Sequence, residues 1–564
     1  MKPKRPTKSK ALRPDVPPSF DGLVRELREF ITESRRQIVR AVDVAQVRTC
    51  WGVGRHIVEF EQGGAARAEY GAKLLPRLAE ALTADFGKWL DSSNLRYMRL
   101  FYLAFPICDA LRHELSWTHY RTLLRIVLFL LLAALPAQAV AQKPNFLLLI
   151  TDDHGYGDVS AYHPSDVRTP NIDRIGAEGM LFTAMRANCT VCSPSRAALL
   201  TGRYADRVGV PGVIRTRAED SWGYLAPGVP TLADELKKAG YHTGIVGKWH
   251  LGLESPNLPN ERGFEFFHGF LGDMMDSFTT HLRHGNNYMR RNREVIEPKG
   301  HATDIFSNWA ADYLRERAKA KQPFFLYLAY NAPHFPIEPP DDWLAKVKAR
   351  APQLDEKRAK NVAFVEHLDH AIGRVLAVLA ETGLAQDTVV VFTADNGGSL
   401  PHAQNNDPWR GGKQDHYDGG LRVPFLVRWP AQIKPGRRSD YAGLNFDLFP
   451  TFVELAGGKP SPDLDAVSLA PILRGGMVNQ PRDLYFVRRE GGPAYGGKSY
   501  EAIIRGDWKL MQNDPFSPLE LYNLKADPQE KNNLAATNKK VVNELSVALR
   551  QQIQRGGATP WQKP

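Results

Sequence analysis

Cysteine is scarce in this chain: Cys50, Cys108, Cys189 and Cys192 are the four present in 564 residues. So few exclude a disulfide-stapled scaffold at this length. Cys189-x-x-Cys192 alone admits a redox pair, a zinc pair or two inert buried thiols, and no second pair stands nearby to complete a four-thiolate zinc site. An apolar run of the ~20 residues a membrane-spanning helix needs is also missing, because the stretch Ile126 to Leu135 is too short. Tandem repeats and low-complexity segments are absent, and 43% apolar with 24% charged residues excludes disorder as the state of the whole chain. Single cores stop growing near ~250–300 residues, so at least two folded units are expected.

The net charge of +11 is unevenly spread: up to Arg125, 22 Lys+Arg against 14 Asp+Glu leave +8. Residues 1–19 carry the densest basic run (Lys2, Lys4, Arg5, Lys8, Lys10) and read as a disordered, solvated tail. From Phe20 to about Leu124 the apolar spacing is helical, as in Leu23, Leu27, Phe30 and Ile31, or Leu74, Leu75, Leu78 and Leu82. The stretches Gly54-Arg55-His56-Ile57-Val58, Ala68-Glu69-Tyr70-Gly71, Asn94-Leu95-Arg96-Tyr97-Met98 and Leu115-Ser116-Trp117-Thr118-His119-Tyr120-Arg121 make residues 20–125 resemble the helical N-terminal domain of the YhcG-like family. Relatives of that family continue into a nuclease domain; this chain does not, so no nuclease activity is expected. Instead, Arg121 and Arg125, the apolar stretch Ile126 to Leu135 and the small residues Ala137, Ala139 and Ala141 give residues 121–142 the layout of a secretory signal. The expectation is an exported enzyme, periplasmic or secreted, beginning near Gln142, with residues 1–125 fused ahead of it.

From Lys143 short apolar runs alternate with helical segments, which predicts an α/β layer architecture. Phe146 to Ile150, His242 to Val246, Phe324 to Tyr330, Thr388 to Phe392 and Val423 to Trp429 read as buried strands, with helices at Thr231 to Ala239 and Asn361 to Glu381. Beyond a catalytic domain over 143–480, residues 481–564 predict a small α+β subdomain: strands at Leu484 to Arg488, Tyr500 to Ile504, Trp508 to Met511 and Glu520 to Leu524, then a helix from about Lys539 to Ile553. Leu253 to Arg262 and Asp276 to Gly300 read as long polar loops suited to substrate selection.

Two strands end in acids, Thr151-Asp152-Asp153-His154-Gly155 and Thr393-Ala394-Asp395-Asn396-Gly397-Gly398. Either alone reads equally as turn residues; together, at strand carboxyl ends, they supply three carboxylates and an amide oxygen, hard ligands that suit Ca²⁺ or Mg²⁺. Between them stands Cys192-Ser193-Pro194-Ser195-Arg196, continuing Ala197-Ala198-Leu199-Leu200-Thr201-Gly202-Arg203. This run resembles the signature of the formylglycine-dependent sulfatases, arylsulfatase-like members of the alkaline phosphatase superfamily. Gly247-Lys248-Trp249-His250-Leu251-Gly252, Ala332-Pro333-His334, Arg410-Gly411-Gly412-Lys413 and Gly419-Gly420-Leu421-Arg422-Val423-Pro424 follow in the family's order, so the resemblance spans about Lys143 to Ala535.

That resemblance implies an alkaline-phosphatase-like fold, a large mixed sheet sandwiched by helices, preceded here by the all-α segment. It implies hydrolysis of a small-molecule or glycan sulfate ester to alcohol and sulfate. Cys192 would be oxidised to formylglycine by a formylglycine-generating enzyme, and Asp152, Asp153, Asp395 and Asn396 would hold one Ca²⁺, with Mg²⁺ as the alternative, beside residue 192. Arg196 would orient the aldehyde hydrate, and Lys248 and Lys413 would bind sulfate oxygens. His334 would protonate the departing alcohol, and His250 would deprotonate the second hydroxyl so that sulfate is expelled. No nucleic acid is implied for this part. The other readings are a phosphomonoester or phosphonate hydrolase of the same superfamily, and a nucleic-acid or assembly module acting through residues 1–125. Ala394, Asp418 and Trp409 depart from the family pattern, and Trp409 is expected to shape the pocket beside Lys413.

Overall fold

The computed structural model describes residues 44–59, 74–86, 88–105, 116–123, 143–490 and 499–562; the basic tail and all but the first residues of the signal-like stretch lie outside them. The chain divides into two compact units, Met1–Ala141 and Gln142–Pro564. Among the described residues no helix is long and apolar enough to cross a membrane.

The first unit is helical, with helices over residues 44–59, Leu74–Phe86, Ser92–Ala104 and 117–123. Cys50, Leu95, Met98, Phe101, Trp117 and Tyr120 meet in one core. Gly54 permits the close approach of two of these helices, since a Cβ there would lie 2.0 Å from the Met98 carbonyl oxygen.

The second unit is built on a ten-stranded mixed sheet. Its strands are β1 (Asn145–Thr151), β2 (Met180–Phe182), β3 (His242–Lys248), β4 (Phe266–Phe270), β5 (Met289–Arg291), β6 (Glu294–Val295), β7 (Phe324–Ala329), β8 (Thr388–Ala394), β9 (Phe425–Arg428) and β10 (Arg437–Ser439), in the spatial order β10-β2-β9-β8-β1-β7-β3-β4-β5-β6. The central run β8-β1-β7-β3-β4 is parallel. Helices α1 (Pro170–Ala177), α2 (Cys192–Thr201), α3 (Leu232–Lys238), α4 (Ala302–Lys319), α5 (Glu356–Glu381) and α6 (Leu448–Leu455) cover it.

The continuous apolar composition of the central strands follows from burial on both faces. Phe146, Leu148 and Ile150 join one core with residues of α2, α3 and α6, while Leu147 and Leu149 join a second core with residues of α1, α4 and α5. Within α5 the stripe Phe364, Leu368, Ile372, Val375 and Leu379 keeps the helical period on its buried face.

The stretch Asp276 to Gly300 is not the open loop expected from its polarity. It contains a two-stranded ribbon, Leu282–Arg283 with Asn286–Asn287, and then β5 and β6, which extend the sheet by antiparallel pairing of β5 with β4 and of β6 with β5. The predicted C-terminal strands form a four-stranded antiparallel sheet of β11 (Leu484–Arg489), β12 (Ser499–Arg505), β13 (Trp508–Gln512) and β14 (Glu520–Asn523), followed by α7 (Lys539–Gly556). This sheet shares a core with Ala198 of α2 and with Leu421 and Leu444, so it completes the second unit rather than standing apart from it.

Candidate active site

Parallel pairing decides where the chemistry gathers. Ile150 is in register with Thr393 and Thr151 with Ala394, so Asp152 and Asp395 leave adjacent strands at the same carboxyl edge, where open α/β sheets bind ligands. β3 ends in Lys248, and the segment after β7 carries His334. Beyond β1 the backbone turns through Asp153 at φ 57°. This left-handed conformation is unfavourable for a side-chain-bearing residue, by ~1–3 kcal/mol, and with it two consecutive carboxylates serve one site. His250, at φ 58°, makes the corresponding turn after β3.

Three carboxylates there are matched by three cations. Lys248 Nζ lies 2.5 Å from Asp152 Oδ2, Lys413 Nζ 2.7 Å from Asp153 Oδ2, and Arg196 Nη2 2.8 Å from Asp395 Oδ2. Arg196 and Lys248 are fully buried, a placement that only such pairing makes tolerable. Burial pushes Asp152 up, yet Lys248, then His334, Arg196 and Lys413, outweigh it and hold the group well below the usual carboxylate range. Asp395 is pushed up to about 7 by burial and by the neighbouring Asp152, with Arg196 pulling the other way.

Cys192 is the first residue of α2, at the positive end of that helix's dipole. Its thiol donates to Asp152 Oδ1 at 3.3 Å. Burial pushes the thiol pKa up, and Asp152 adds to the push against Lys248 and Lys413. As a thiol, therefore, Cys192 is no activated nucleophile.

The hydrogen bonds assign the histidine tautomers. His250 Nε2 lies 2.7 Å from the Ile214 carbonyl oxygen, which can only accept, so Nε2 carries the proton and Nδ1 keeps a lone pair. That Nδ1 is buried without a partner. Burial, Lys248 and Arg196 lower the His250 pKa well below its ordinary value, which keeps the ring neutral. His334 is the mirror case: Nδ1 donates to the Phe335 carbonyl at 2.6 Å and Nε2 accepts from Lys413 at 3.1 Å. Burial and Lys413 lower the His334 pKa to about 4.

The oxygens among the donors fit a hard divalent cation. Asp152 and Asp153 each offer a carboxylate oxygen, within 4.8 Å of each other and of Cys192 Sγ and a His334 ring nitrogen. Asn396 donates through Nδ2 to Asp153 Oδ1 at 2.8 Å, while its Oδ1 is buried with no hydrogen-bond partner. A buried amide oxygen left unpaired beside carboxylates is the ligand such an ion takes. Asp395 stands slightly apart, with Oδ1 accepting from Asp153 N at 3.2 Å and Oδ2 holding Arg196. His334 enters the cluster although its sequence context suggested only proton transfer.

Cys192, His250, His334 and Lys413 line one cavity of about 210 Å³ together with Arg215, Asp273, Arg283, Gln414, Arg488 and Glu490. None of these last six sits in a motif, so no local pattern marks them. Trp409 does not line this cavity. It packs against Tyr156 with ring centroids 5.9 Å apart, and the Arg422 guanidinium lies 4.2 Å from its ring centre.

The Sulfatase family model matches residues 144–458. A model of the N-sulphoglucosamine sulphohydrolase C-terminal region matches residues 412–557, and the DUF1016 N-terminal domain matches residues 26–128. N-acetylgalactosamine-6-sulfatase of Canis lupus familiaris is 33% identical over 408 residues, covering 68% of this chain and 74% of that protein. Arylsulfatase A of Homo sapiens is 33% identical over 472 residues, covering 75% and 89%. Among solved structures, Ps i-CgsB in complex with k-i-k-neocarrahexaose superposes with a TM-score of 0.69 at 29% identity, covering 75% of this chain and 95% of that one.

Proposed function

Because the chain belongs to the sulfatase family and is a sulfuric ester hydrolase, we propose that it cleaves a carbohydrate sulfate ester with a formylglycine hydrate made from Cys192 and one divalent cation, Ca²⁺. The names of its relatives support the carbohydrate, since one is an N-acetylgalactosamine-6-sulfatase and another is seen with a neocarrahexaose. The observation that carries the chemistry is the one-to-one matching of three carboxylates and three cations around Cys192.

Formed from Cys192, a hydrated aldehyde would supply two hydroxyls on one carbon, one as nucleophile and one for release of sulfate, a route that a simple serine or cysteine ester lacks. Asp152, Asp153, Asp395 and Asn396 would hold the cation beside residue 192, where it would supply Lewis acidity. Arg196, clamped by Asp395, orients the residue-192 hydroxyls. Lys248 and Lys413 turn from carboxylate partners into donors to sulfate oxygens, neutralising its spread charge. His334 Nε2 is placed to pass a proton to the departing alcohol, while Lys413, hydrogen-bonded to the same nitrogen and paired with Asp153, keeps its charge for the sulfate. His250 Nδ1, whose lone pair is unengaged, accepts the proton of the second hydroxyl.

Cys192→Ala is expected to abolish turnover of 4-nitrophenyl sulfate while leaving the thermal transition in place, and mass spectrometry of the Cys192 peptide from active protein is expected to show an aldehyde for the thiol. Full activity in the alanine variant overturns the mechanism. A larger kcat/KM on 4-nitrophenyl phosphate than on the sulfate would reassign the site to phosphoester hydrolysis. We further propose that the enzyme is exported through the segment at residues 121–142; a secreted protein whose first residue lies far from Gln142 refutes this.

A further inference from the structure

The cavity around Cys192 has a second cavity as its neighbour. Arg215 lines both that cavity and a second one of about 490 Å³. The two are joined through the chain as well: His250 donates to the Ile214 carbonyl, and Ile214 together with the residues that follow His250, Leu251 to Glu254, forms a wall of the second cavity. The second cavity therefore borders the first, across Arg215 and the contact between His250 and Ile214.

The chemistry of the second cavity is specific. Tyr224 and Trp561 contribute aromatic surface, and Thr216, Ser221 and Asn257 contribute hydroxyl and amide groups. Arg215 is the one Lys or Arg lining it among the described residues, and its guanidinium is held 2.7 Å from the buried Glu490 carboxylate. Trp561 is delivered by the tail beyond α7. Thr559 Oγ1 donates to the Arg207 carbonyl at 2.9 Å, and the Trp561 ring stacks on Trp222 with centroids 4.5 Å apart and planes 14° from parallel. A tail fastened at two points, with an indole placed in a cavity of mixed apolar and polar lining, is a built wall.

We propose that this second cavity is a binding subsite for a neutral, hydroxylated ring next to the sulfated one, so that the preferred substrate is an oligosaccharide. A sugar ring offers C–H faces that pack on aromatic side chains and hydroxyls that need paired donors and acceptors, the two features these walls combine. A ring with a second sulfate or carboxylate fits less well, because the cation available there is already matched by Glu490. This inference rests on the sulfatase reading of the Cys192 cavity.

The test compares 4-nitrophenyl sulfate with monosulfated mono-, di- and tetrasaccharides from chondroitin and carrageenan, using the formylglycine-bearing protein. Wild type is expected to gain about tenfold or more in kcat/KM from monosaccharide to disaccharide, the scale of one lost ring contact. Trp561→Ala, and separately Leu253→Trp, which fills the cavity, are expected to remove that gain while 4-nitrophenyl sulfate turnover stays within about twofold. Absence of a gain with length, equal losses on aryl and glycan substrates, or hydrolysis of the aryl sulfate with no glycan cleaved each overturns the subsite. Failure of wild type on every sulfate ester would instead bring down the sulfatase reading, and the subsite with it.

Discussion

Asn396 Oδ1 and His250 Nδ1 are buried acceptors without partners in the active site, and each isolates one function. Asn396→Ala removes the proposed amide ligand and leaves the three carboxylates. Its Ca²⁺ affinity, measured calorimetrically, is expected to fall by about 10–100-fold, with activity recovering at higher Ca²⁺. Chelation of wild type is expected to abolish turnover, and added Ca²⁺ to restore it. His250→Ala leaves Lys248 and Lys413 in place and removes the proposed base, so kcat is expected to drop by ~10²–10⁴ with little change in KM. At this scale the sequence was most legible. Asp152, Asp153, Asp395 and Asn396 lie in short runs whose residue types already suggest hard ligands, and Cys192 and Arg196 stand in the run that carries the family resemblance. The tautomers of His250 and His334 were not legible, because they depend on the carbonyls of Ile214 and Phe335.

Among the elements, strand termini and caps do the positioning. Gly247, one residue before Lys248, has φ 102°, and a Cβ there would lie 2.0 Å from the Ala329 carbonyl oxygen in the paired strand. Gly247→Ala is therefore expected to push β3 from β7, displace Lys248 and lower both stability and activity, seen as a reduced Tm together with a raised KM. The long helix α5 is capped by Asp355, whose carboxylate accepts from Arg358 N at 3.0 Å. Asp355→Ala is expected to reduce unfolding free energy by ~1 kcal/mol in urea titrations without altering turnover, since that cap is remote from the chemistry. The central strands were readable because burial on both faces makes them continuously apolar. The short strands β2, β5, β6 and β10 toward the two ends of the sheet were not, because segments of two or three residues carry no periodicity and exist only through their pairing partners.

On the scale of the whole second unit, a buried ionic cluster ties the C-terminal sheet to the catalytic loops. Asp418 accepts from Arg186, Arg422 and Lys509, and Lys509 also lies 2.7 Å from Glu530. Glu530 in turn accepts from the Asp418 backbone N–H at 2.6 Å, so β13 helps fix the segment that follows Lys413. Removing Lys509 leaves Glu530 buried without its cation. Lys509→Met is expected to destabilise by ~3–5 kcal/mol at neutral pH. Burial already raises the Glu530 pKa while Lys509 pulls it back, so the variant raises it further. A carboxyl with a raised folded-state pKa stabilises the fold at low pH and loses that contribution as pH rises through the folded pKa. The defect should therefore be milder near pH 5 than near pH 8, as unfolding curves at the two values would show. A chain beginning at Lys143 is expected to keep the fold and the turnover, since the second unit contains every residue of the site.

The amino-acid sequence by itself determined the class of chemistry, the order of the motifs and the layered α/β architecture, because ligand type, helix period and strand composition are local properties of consecutive residues. Only the tertiary structure decided which charges pair, which nitrogen of each histidine is available, that Asp418 anchors the C-terminal sheet, and that Arg215 and Trp561, 346 residues apart (561 − 215), wall one cavity. Those outcomes depend on the approach of segments far apart in the chain, and no pattern of neighbouring residues encodes it.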